Sequence, residues 1–197
     1  MRAGSFFALL VSSAIGVTMS SAAAGSPARS PSGVESGVPV TTTIELLSGN
    51  GSIGSQDARV QWFDGVAWQP AWVIQPNPAW DVISGTNYVF STSDGCCREF
   101  TRTRFRIQFR LPASFSDVSV SGYVNADNAA EVAVNGTTFT IMPDEEIAQN
   151  YLDPPETFVD SNQADFHAGM NTIIFKLHNF HGPGGLDFDV FVTVSSG

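Results

Sequence analysis

The strictest pattern in the sequence is the alternation of residues 101–111, which read "TRTRFRIQFRL". Phe105, Ile107 and Phe109 fall on one side of this run, and four arginines and a glutamine fall on the other. Successive side chains of a β-strand point to opposite faces of the sheet, so a period of two indicates a strand with one buried and one solvated face. We therefore predict a long, half-buried strand here.

Further strands follow with the same period. Residues 118–125 and 130–134 alternate, and Asn135-Gly136 supplies the two positive-φ residues of a tight hairpin turn that leads into residues 137–141. Two later strands are predicted at 171–180 and 186–194, with "HGPGG" between them.

The upstream part of the chain holds shorter candidate strands, namely "TTTIELL", "ARVQWF", "AWVI" and "NYVFS". Only "PDEEIAQNYL" is typical of a helix, because Pro143 suits the first helical position and acidic residues follow it. Many short strands with turn signals and little helix predict an all-β fold, an antiparallel β-sandwich with one short helix.

The N-terminus has the features of a secretory signal peptide. Arg2 precedes an apolar run, Phe6 to Val17, and small residues end the segment at position 24. The run is shorter than a membrane span and is interrupted by serines, so we expect no membrane anchor. We predict a signal peptide at 1–24, a flexible Ser/Pro/Gly-rich leader at 25–40, and one domain at 41–197 in a secreted bacterial protein, extracellular or periplasmic.

The overall charge restricts the partners. The formal net charge is −10, and such a surface repels phosphate backbones, which disfavours nucleic acid as a partner.

Basic residues nevertheless concentrate on one predicted strand. Two interpretations of this arginine-rich face stay open. In a structural ladder, Glu131, Asp187 or Asp189 on adjacent strands would neutralise it. In a binding groove, the guanidinium groups would hold an acidic ligand such as a uronate polymer. The candidate ligand residues on this strand are Arg102, Arg104 and Arg106.

Two segments together resemble a known family. They are "SGYVNADNAAEVAVNGTTF" and, about 30 residues later, "FHAGMNTIIFKLHNFHGPGGLDFDVFV". The chain resembles the galactose-binding-like jelly-roll domains of secreted bacterial proteins over residues 60–196. The resemblance rests on Asp127-Asn128, Asn135-Gly136, Gly169, Asn171, Asn179 and Gly182 to Gly185.

The resemblance implies a jelly roll of about eight or nine strands that binds carbohydrate without catalysis, with a structural calcium ion in some members. Sugar binding commonly uses flat aromatic rings and a few fixed polar groups. The candidate ligand residues are therefore also Trp62, Trp68, Trp72 and Trp80, followed by Asp127 and Asn128. The alternatives are that the tryptophans fill the core edge and that Asp127-Asn128 caps a corner by accepting backbone N–H bonds.

The only cysteines, Cys96 and Cys97, are adjacent. Their Cα atoms are closer than ordinary disulfide geometry allows, so a bridge between them would close a distorted ring. A vicinal disulfide, two free thiols and an intermolecular link all stay open, although an exported chain favours oxidation.

Metal and catalytic signals are weak. Acidic residues crowd positions 144–165, where they could supply oxygens to calcium or form a solvated loop. His178 and His181 have a spacing that does not put both imidazoles on one face of a strand, which disfavours zinc. No nucleophile elbow is present in the sequence.

We therefore predict a secreted, non-catalytic module that binds a glycan or polysaccharide, neutral or acidic. The alternative is a structural or adhesive extracellular protein that acts through protein contacts.

Overall fold

The computed structural model describes residues 40–96, 100–146 and 149–196. These residues form eleven strands, β1 Val40–Leu47, β2 Gln56–Phe63, β3 Trp68–Val73, β4 Val89–Phe90, β5 Thr101–Leu111, β6 Asp117–Asp127, β7 Ala129–Val134, β8 Thr137–Thr140, β9 Glu156–Asp160, β10 Gly169–Asn179 and β11 Gly185–Ser196. Two single-turn 3-10 helices, Asn150–Leu152 and Gln163–Asp165, lie on either side of β9.

All the strand pairs are antiparallel. The strand order is β8-β7-β10-β5-β2-β3-β4-β11-β6-β9, and β1 also pairs with β11, at residues 189–196. The two-residue strand β4 joins a first layer, β8 to β3, to a second layer of β1, β11, β6 and β9. Phe175 of β10 stacks on Phe188 of β11 with ring centroids 4.3 Å apart, so the two layers face each other across the core. The predicted all-β sandwich of the jelly-roll class is confirmed, with eleven strands rather than eight or nine.

The alternation that predicted β5 also builds the core. Phe105 and Ile107 are fully buried, and their register partners on β10 are Phe175 and Ile173, which are buried as well. Burying side chains of this size is worth about 1.5–3 kcal/mol each, so this strand pair contributes strongly to stability.

The helix predicted for residues 143–152 is wrong. Within its described part the segment has only the 3-10 turn Asn150–Leu152, and Ile147 and Ala148 lie outside the described residues. The side chains of Asp144 and Glu146 bond to groups at the ends of β5 and β10, which ties this part of the segment to the sheet. Strand β9, in the connection that we expected to be a loop, was missed.

The hairpin turn between β7 and β8 is confirmed. Asn135 and Gly136 have φ values of 47° and 103°, as the predicted turn requires. The Asn135 amide also donates to the carbonyl of Asp165 and to the Asn171 side chain, so the turn is bonded to the loop before β10.

Several predictions fall outside the described residues. They concern the signal peptide, 1–24, and the leader up to residue 39. Cys97 and Arg98 are also outside, so the vicinal disulfide stays a prediction, although Cys96 is not a free thiol. A search of the described ranges finds no helix with the length and hydropathy needed to cross a membrane.

Candidate functional site

Four segments meet at one end of the sandwich and enclose a cleft of about 330 Å³, which we call the loop-end cleft. They are the loop before β4, the end of β6, the connection between β8 and β9, and the turn between β10 and β11. The polar and aromatic residues that line the cleft are Asn77, Trp80, Asp127, Asn128, Glu146, Gln149, Tyr151 and His181.

Trp80 forms the aromatic part of the cleft wall. It packs on Tyr88 with ring centroids 4.6 Å apart, and only 6% of its surface is exposed. A Cβ atom at Gly185 would lie 2.7 Å from both rings, which real Cβ atoms essentially never show. The last glycine of "HGPGG" therefore serves a packing purpose, since Gly185 leaves the space that the Trp80–Tyr88 pair occupies.

Asp127 ends β6 at the bottom of the cleft and is 6% exposed. Burial raises the pKa of its carboxyl to about 7, against the hydrogen bond from Trp80, which lowers it. A carboxyl with this pKa is partly protonated near neutral pH, so it can donate a hydrogen bond as well as accept one. The pKa of Tyr151 is also raised, by burial and by the charge of Asp127, which indicates that the phenol and the carboxyl are close.

Asn128 fixes the corner after Asp127. Its side-chain oxygen accepts the N–H of Phe180 at 2.9 Å, and its carbonyl accepts the amide of Asn150 at 2.6 Å. Asn128 does accept a backbone N–H, but from Phe180 in the turn after β10 and not from its own corner, so the predicted cap stays a prediction. Asp127 differs, because Trp80 donates to its side chain.

One wall of the cleft comes from residues 143–146 and 149–152, which we call the acidic segment. Asp144 accepts hydrogen bonds from Arg102 and from His178, both at 2.6 Å, and Glu146 bonds to His181 at 2.7 Å. Burial tends to raise the pKa of Asp144, but the hydrogen bonds from His178 and Arg102 outweigh it and hold the pKa below its usual range. These contacts attach the acidic segment to the ends of β5 and β10.

The four predicted tryptophans do not form one platform. Trp62 and Trp72 are half-buried and pack against the core. Trp68 lies on the outer face of the sheet beside Phe63, with the two rings inclined by 53°. Of the predicted ligand residues, the loop-end cleft brings together only Trp80, Asp127 and Asn128.

The predicted arginines lie on the outer face of the first layer, away from the cleft. Arg102 pairs with Asp144. Arg104 lies 4.3 Å from the ring centroid of Phe63, and Arg106 lies 4.4 Å from that of Trp68.

The prediction that Glu131, Asp187 or Asp189 would pair with the arginines is wrong. Glu131 pairs with Lys176, because β10 lies between β7 and β5 and places that lysine beside it. Asp187 and Asp189 belong to β11 in the other layer. Asp187 is buried and accepts hydrogen bonds from the Ser48 hydroxyl at 2.8 Å and the Ile83 N–H at 2.9 Å.

The acidic segment and the histidines do not fit a metal site. Within the described ranges, no three His, Cys, Asp or Glu side chains gather closely enough to hold an ion. His178 and His181 bond to different carboxylates, and calcium needs six to eight oxygen ligands. A structural calcium ion, which the resemblance implies for some members, therefore has no side-chain cluster in the described ranges and stays a prediction.

Sequence reasoning missed the cleft residues Asn77, Gln149 and Tyr151, and it considered Glu146 and His181 only as metal ligands. They come from three loops that are distant in sequence. The sequence signal that could have found these residues is the presence of polar and aromatic side chains in connections that also carry turn residues. Examples are "HNFHGPGG" and the end of "PDEEIAQNYL".

The known proteins found to be similar to this chain are all solved structures. No protein-family model matches the chain, and no curated protein sequence matches it. A family 35 carbohydrate-binding module from Clostridium thermocellum is similar with a TM-score of 0.42 and 12% identity, covering 75% of this chain and 97% of that one. CBM35 from Paenibacillus barcinonensis is similar with a TM-score of 0.37 and 16% identity, covering 78% of this chain and 99% of that one. The xylan-binding module CBM15 is similar with a TM-score of 0.39 and 8% identity, covering 79% of this chain and 97% of that one. These proteins are of the class that the sequence motifs resemble, but the TM-scores are below 0.5 and carry no conclusion about function.

Proposed function

We propose that this chain is an exported, non-catalytic module that binds a neutral carbohydrate in the loop-end cleft. The observation that carries the proposal is the set of hydrogen-bonding groups around Asp127, next to the Trp80 wall. Export rests on the N-terminal sequence alone, with its basic residue, apolar run and small residues before position 25.

The chemistry of the cleft suits hydroxyl groups better than ions. The raised pKa of Asp127 keeps much of this carboxyl neutral, and Glu146 is paired with His181. Gln149 and Asn77 add amides, and Tyr151 adds a phenol, so donors and acceptors are both available. A sugar presents hydroxyls that both donate and accept, and ligand pockets usually combine a few such groups with apolar surface.

A second candidate function is hydrolysis of a glycosidic bond in the same cleft. The observation that favours it is the presence of two carboxyl groups, Asp127 with its raised pKa and Glu146. Hydrolysis needs one protonated and one ionised carboxyl on either side of the bond. Glu146 is held by His181 and its side chain is 60% exposed, which favours binding over catalysis.

The test is titration calorimetry of the full chain with neutral gluco-, manno-, galacto- and xylo-oligosaccharides. For a ligand that binds, Tyr151→Ala should weaken affinity by about tenfold, or 1.4 kcal/mol. Asp153→Asn is the control, since this exposed residue of the connection after the acidic segment does not line the cleft. Equal affinities of Tyr151→Ala and the wild type would contradict the proposed site.

The same incubations separate binding from hydrolysis. Release of new reducing ends by the wild type, lost in Asp127→Asn, would replace the binding proposal with the enzymatic one. Binding without release of reducing ends is the expected result. Failure of every neutral oligosaccharide to bind would refute a neutral sugar as the ligand.

A further inference from the structure

The outer face of the first layer has a charge opposite to that of the whole protein. Cations on β5 and β10 point to this face, and we call it the arginine face. They are Arg102, Arg104, Arg106, Arg110 and Lys176, five of the nine Lys and Arg residues of the chain. Among the described residues, the only carboxylates that pair with them are Asp144, with Arg102, and Glu131, with Lys176.

Within the described ranges, three guanidinium groups are therefore left without a carboxylate partner. In the part of the chain that the structure describes, no Asp or Glu lies within ion-pair distance of Arg104, Arg106 or Arg110. Arg104 and Arg106 are two residues apart on one strand, which separates them by about 6.6 Å. Like charges at this distance repel each other, so an anionic ligand would relieve an unfavourable interaction as well as form new bonds.

Aromatic rings hold two of these groups in place. Arg104 stacks on Phe63, and Arg106 stacks on Trp68 while its Nε donates to Gln61 at 2.8 Å. A guanidinium held over a ring by cation–π attraction still has N–H groups that can donate to other acceptors. These contacts restrict the two side chains before a ligand arrives, which reduces the entropy lost on binding.

The charge of the rest of the molecule restricts where a polyanion can bind. The formal net charge is −10, so most of the surface repels such a ligand and orients it toward the arginine face. Carboxylate and sulfate groups are planar or compact acceptors that pair well with guanidinium donors.

We propose that the arginine face binds an anionic polysaccharide through Arg104, Arg106 and Arg110. This site is separate from the loop-end cleft and does not depend on the function proposed for it. A nucleic acid fits less well. Single strands bind by stacking bases on open aromatic rings, whereas the guanidinium groups here cover a face of Phe63 and of Trp68. The dense phosphate charge of a nucleic acid would also be repelled more strongly by the remaining acidic surface.

The test compares two polymers with one backbone, polygalacturonate and its fully methyl-esterified form, by affinity electrophoresis and calorimetry on the full chain. Polygalacturonate should bind and the ester should not, and the affinity should fall between about 50 and 300 mM salt because the charges are exposed. Heparin tests whether sulfate groups serve as well as carboxylates. Binding of either anionic polymer supports the proposal, and binding of neither overturns it.

Variants locate the site. The double variant R104Q/R106Q should lose about tenfold or more in affinity for the polymer that binds. Arg59→Gln is the control for the loss of a single positive charge, because this exposed arginine donates to the Glu45 carbonyl of β1, and its replacement should leave the affinity within about twofold. If the double variant unfolds, Arg110→Gln replaces it in the test with an expected loss of about threefold, since Arg110 is exposed and no described carboxylate pairs with it.

Three further results would overturn the proposal. One is equal binding of the methyl ester, and another is an equal loss in Arg59→Gln. The third is tighter binding of a single-stranded oligonucleotide of matched charge, which would assign the face to nucleic acid instead. Tyr151→Ala should keep its affinity for the polyanion, so a failure of the neutral-sugar proposal and a failure of this one are distinguishable.

Discussion

The loop-end cleft and the arginine face differ in how much charge their side chains carry. In the cleft, burial raises the pKa of Asp127 to about 7, and Glu146 is paired with His181. On the arginine face, the guanidinium groups of Arg104 and Arg106 lie over aromatic rings and not beside described carboxylates. One sandwich therefore presents a mainly uncharged set of hydrogen-bonding groups at its end and open cations on its side.

The acidic segment joins the two surfaces. Asp144 bonds to Arg102 and His178 at the edge of the arginine face, while Glu146 and Tyr151 line the cleft. One acidic segment therefore neutralises part of a basic strand and also forms a wall of a binding cleft. Changing single charges should therefore affect the two surfaces differently.

The largest expected effect comes from Asp127. Its pKa is raised on folding, so the folded state takes up a proton more readily than the unfolded chain. The stabilising contribution is complete below the ordinary pKa of 3.8 and is lost as the pH rises through about 7. Asp127→Asn should therefore gain stability relative to the wild type, by on the order of 3 kcal/mol, as the pH rises from about 4 to 8.

Urea unfolding at several pH values measures this change. Asp153→Asn is the control, because it removes an exposed carboxylate without altering the cleft, and it should follow the wild type across the range. Parallel stability curves for Asp127→Asn and the wild type would mean that the Asp127 carboxyl has no raised pKa in the folded protein. The contrast between the two surfaces would then lose its main support.

The two surfaces also differ in how far the sequence predicts them. The arginine face follows from residues 101–111 alone, because a period of two assigns each side chain to a face. What that pattern could not predict is the strand order, which puts Lys176 of β10 beside Glu131 and puts Asp187 in the other layer.

The loop-end cleft depends on tertiary contacts between loops that are far apart in the chain. Asp127 and Trp80 were identified as candidates because of their residue types and motifs, but nothing local indicated that Tyr151 and His181 would lie beside them. The helix prediction failed for a related reason. Local propensity favoured a helix in residues 143–152, and the bonds of Asp144 and Glu146 to the ends of β10 and β5 override it.

A smaller effect is expected from Asp144, which links the two surfaces. Its pKa is lowered on folding, so its contribution is present above the ordinary value of 3.8 and is lost as the pH falls below it. The side chains of Asp144 and Arg102 are 38% and 64% exposed, so solvent weakens the pair. We expect Asp144→Asn to cost about 1 kcal/mol of unfolding free energy near neutral pH and almost nothing near pH 3.

Binding separates the two roles of this residue. Asp144→Asn should weaken a sugar bound in the loop-end cleft, because the acidic segment loses its attachment to β5 and β10. It should strengthen a polyanion bound on the arginine face, because a nearby negative charge is removed. Glu145→Gln, an exposed neighbour, is the control for charge. Changes of the same sign at both surfaces would contradict the assigned link.

The smallest expected effect is the stacking of Arg106 on Trp68, and a double-mutant cycle isolates it. Arg106→Gln, Trp68→Leu and the double variant should show a coupling of about 0.5–1 kcal/mol in urea unfolding, the usual range for exposed pairs of this kind. The loss of the hydrogen bond to Gln61 occurs in both arms of the cycle and cancels. A coupling of zero would mean that the ring does not hold the guanidinium, and the arginine face would then be a row of charges without the fixed orientation that distinguishes it from any basic strand.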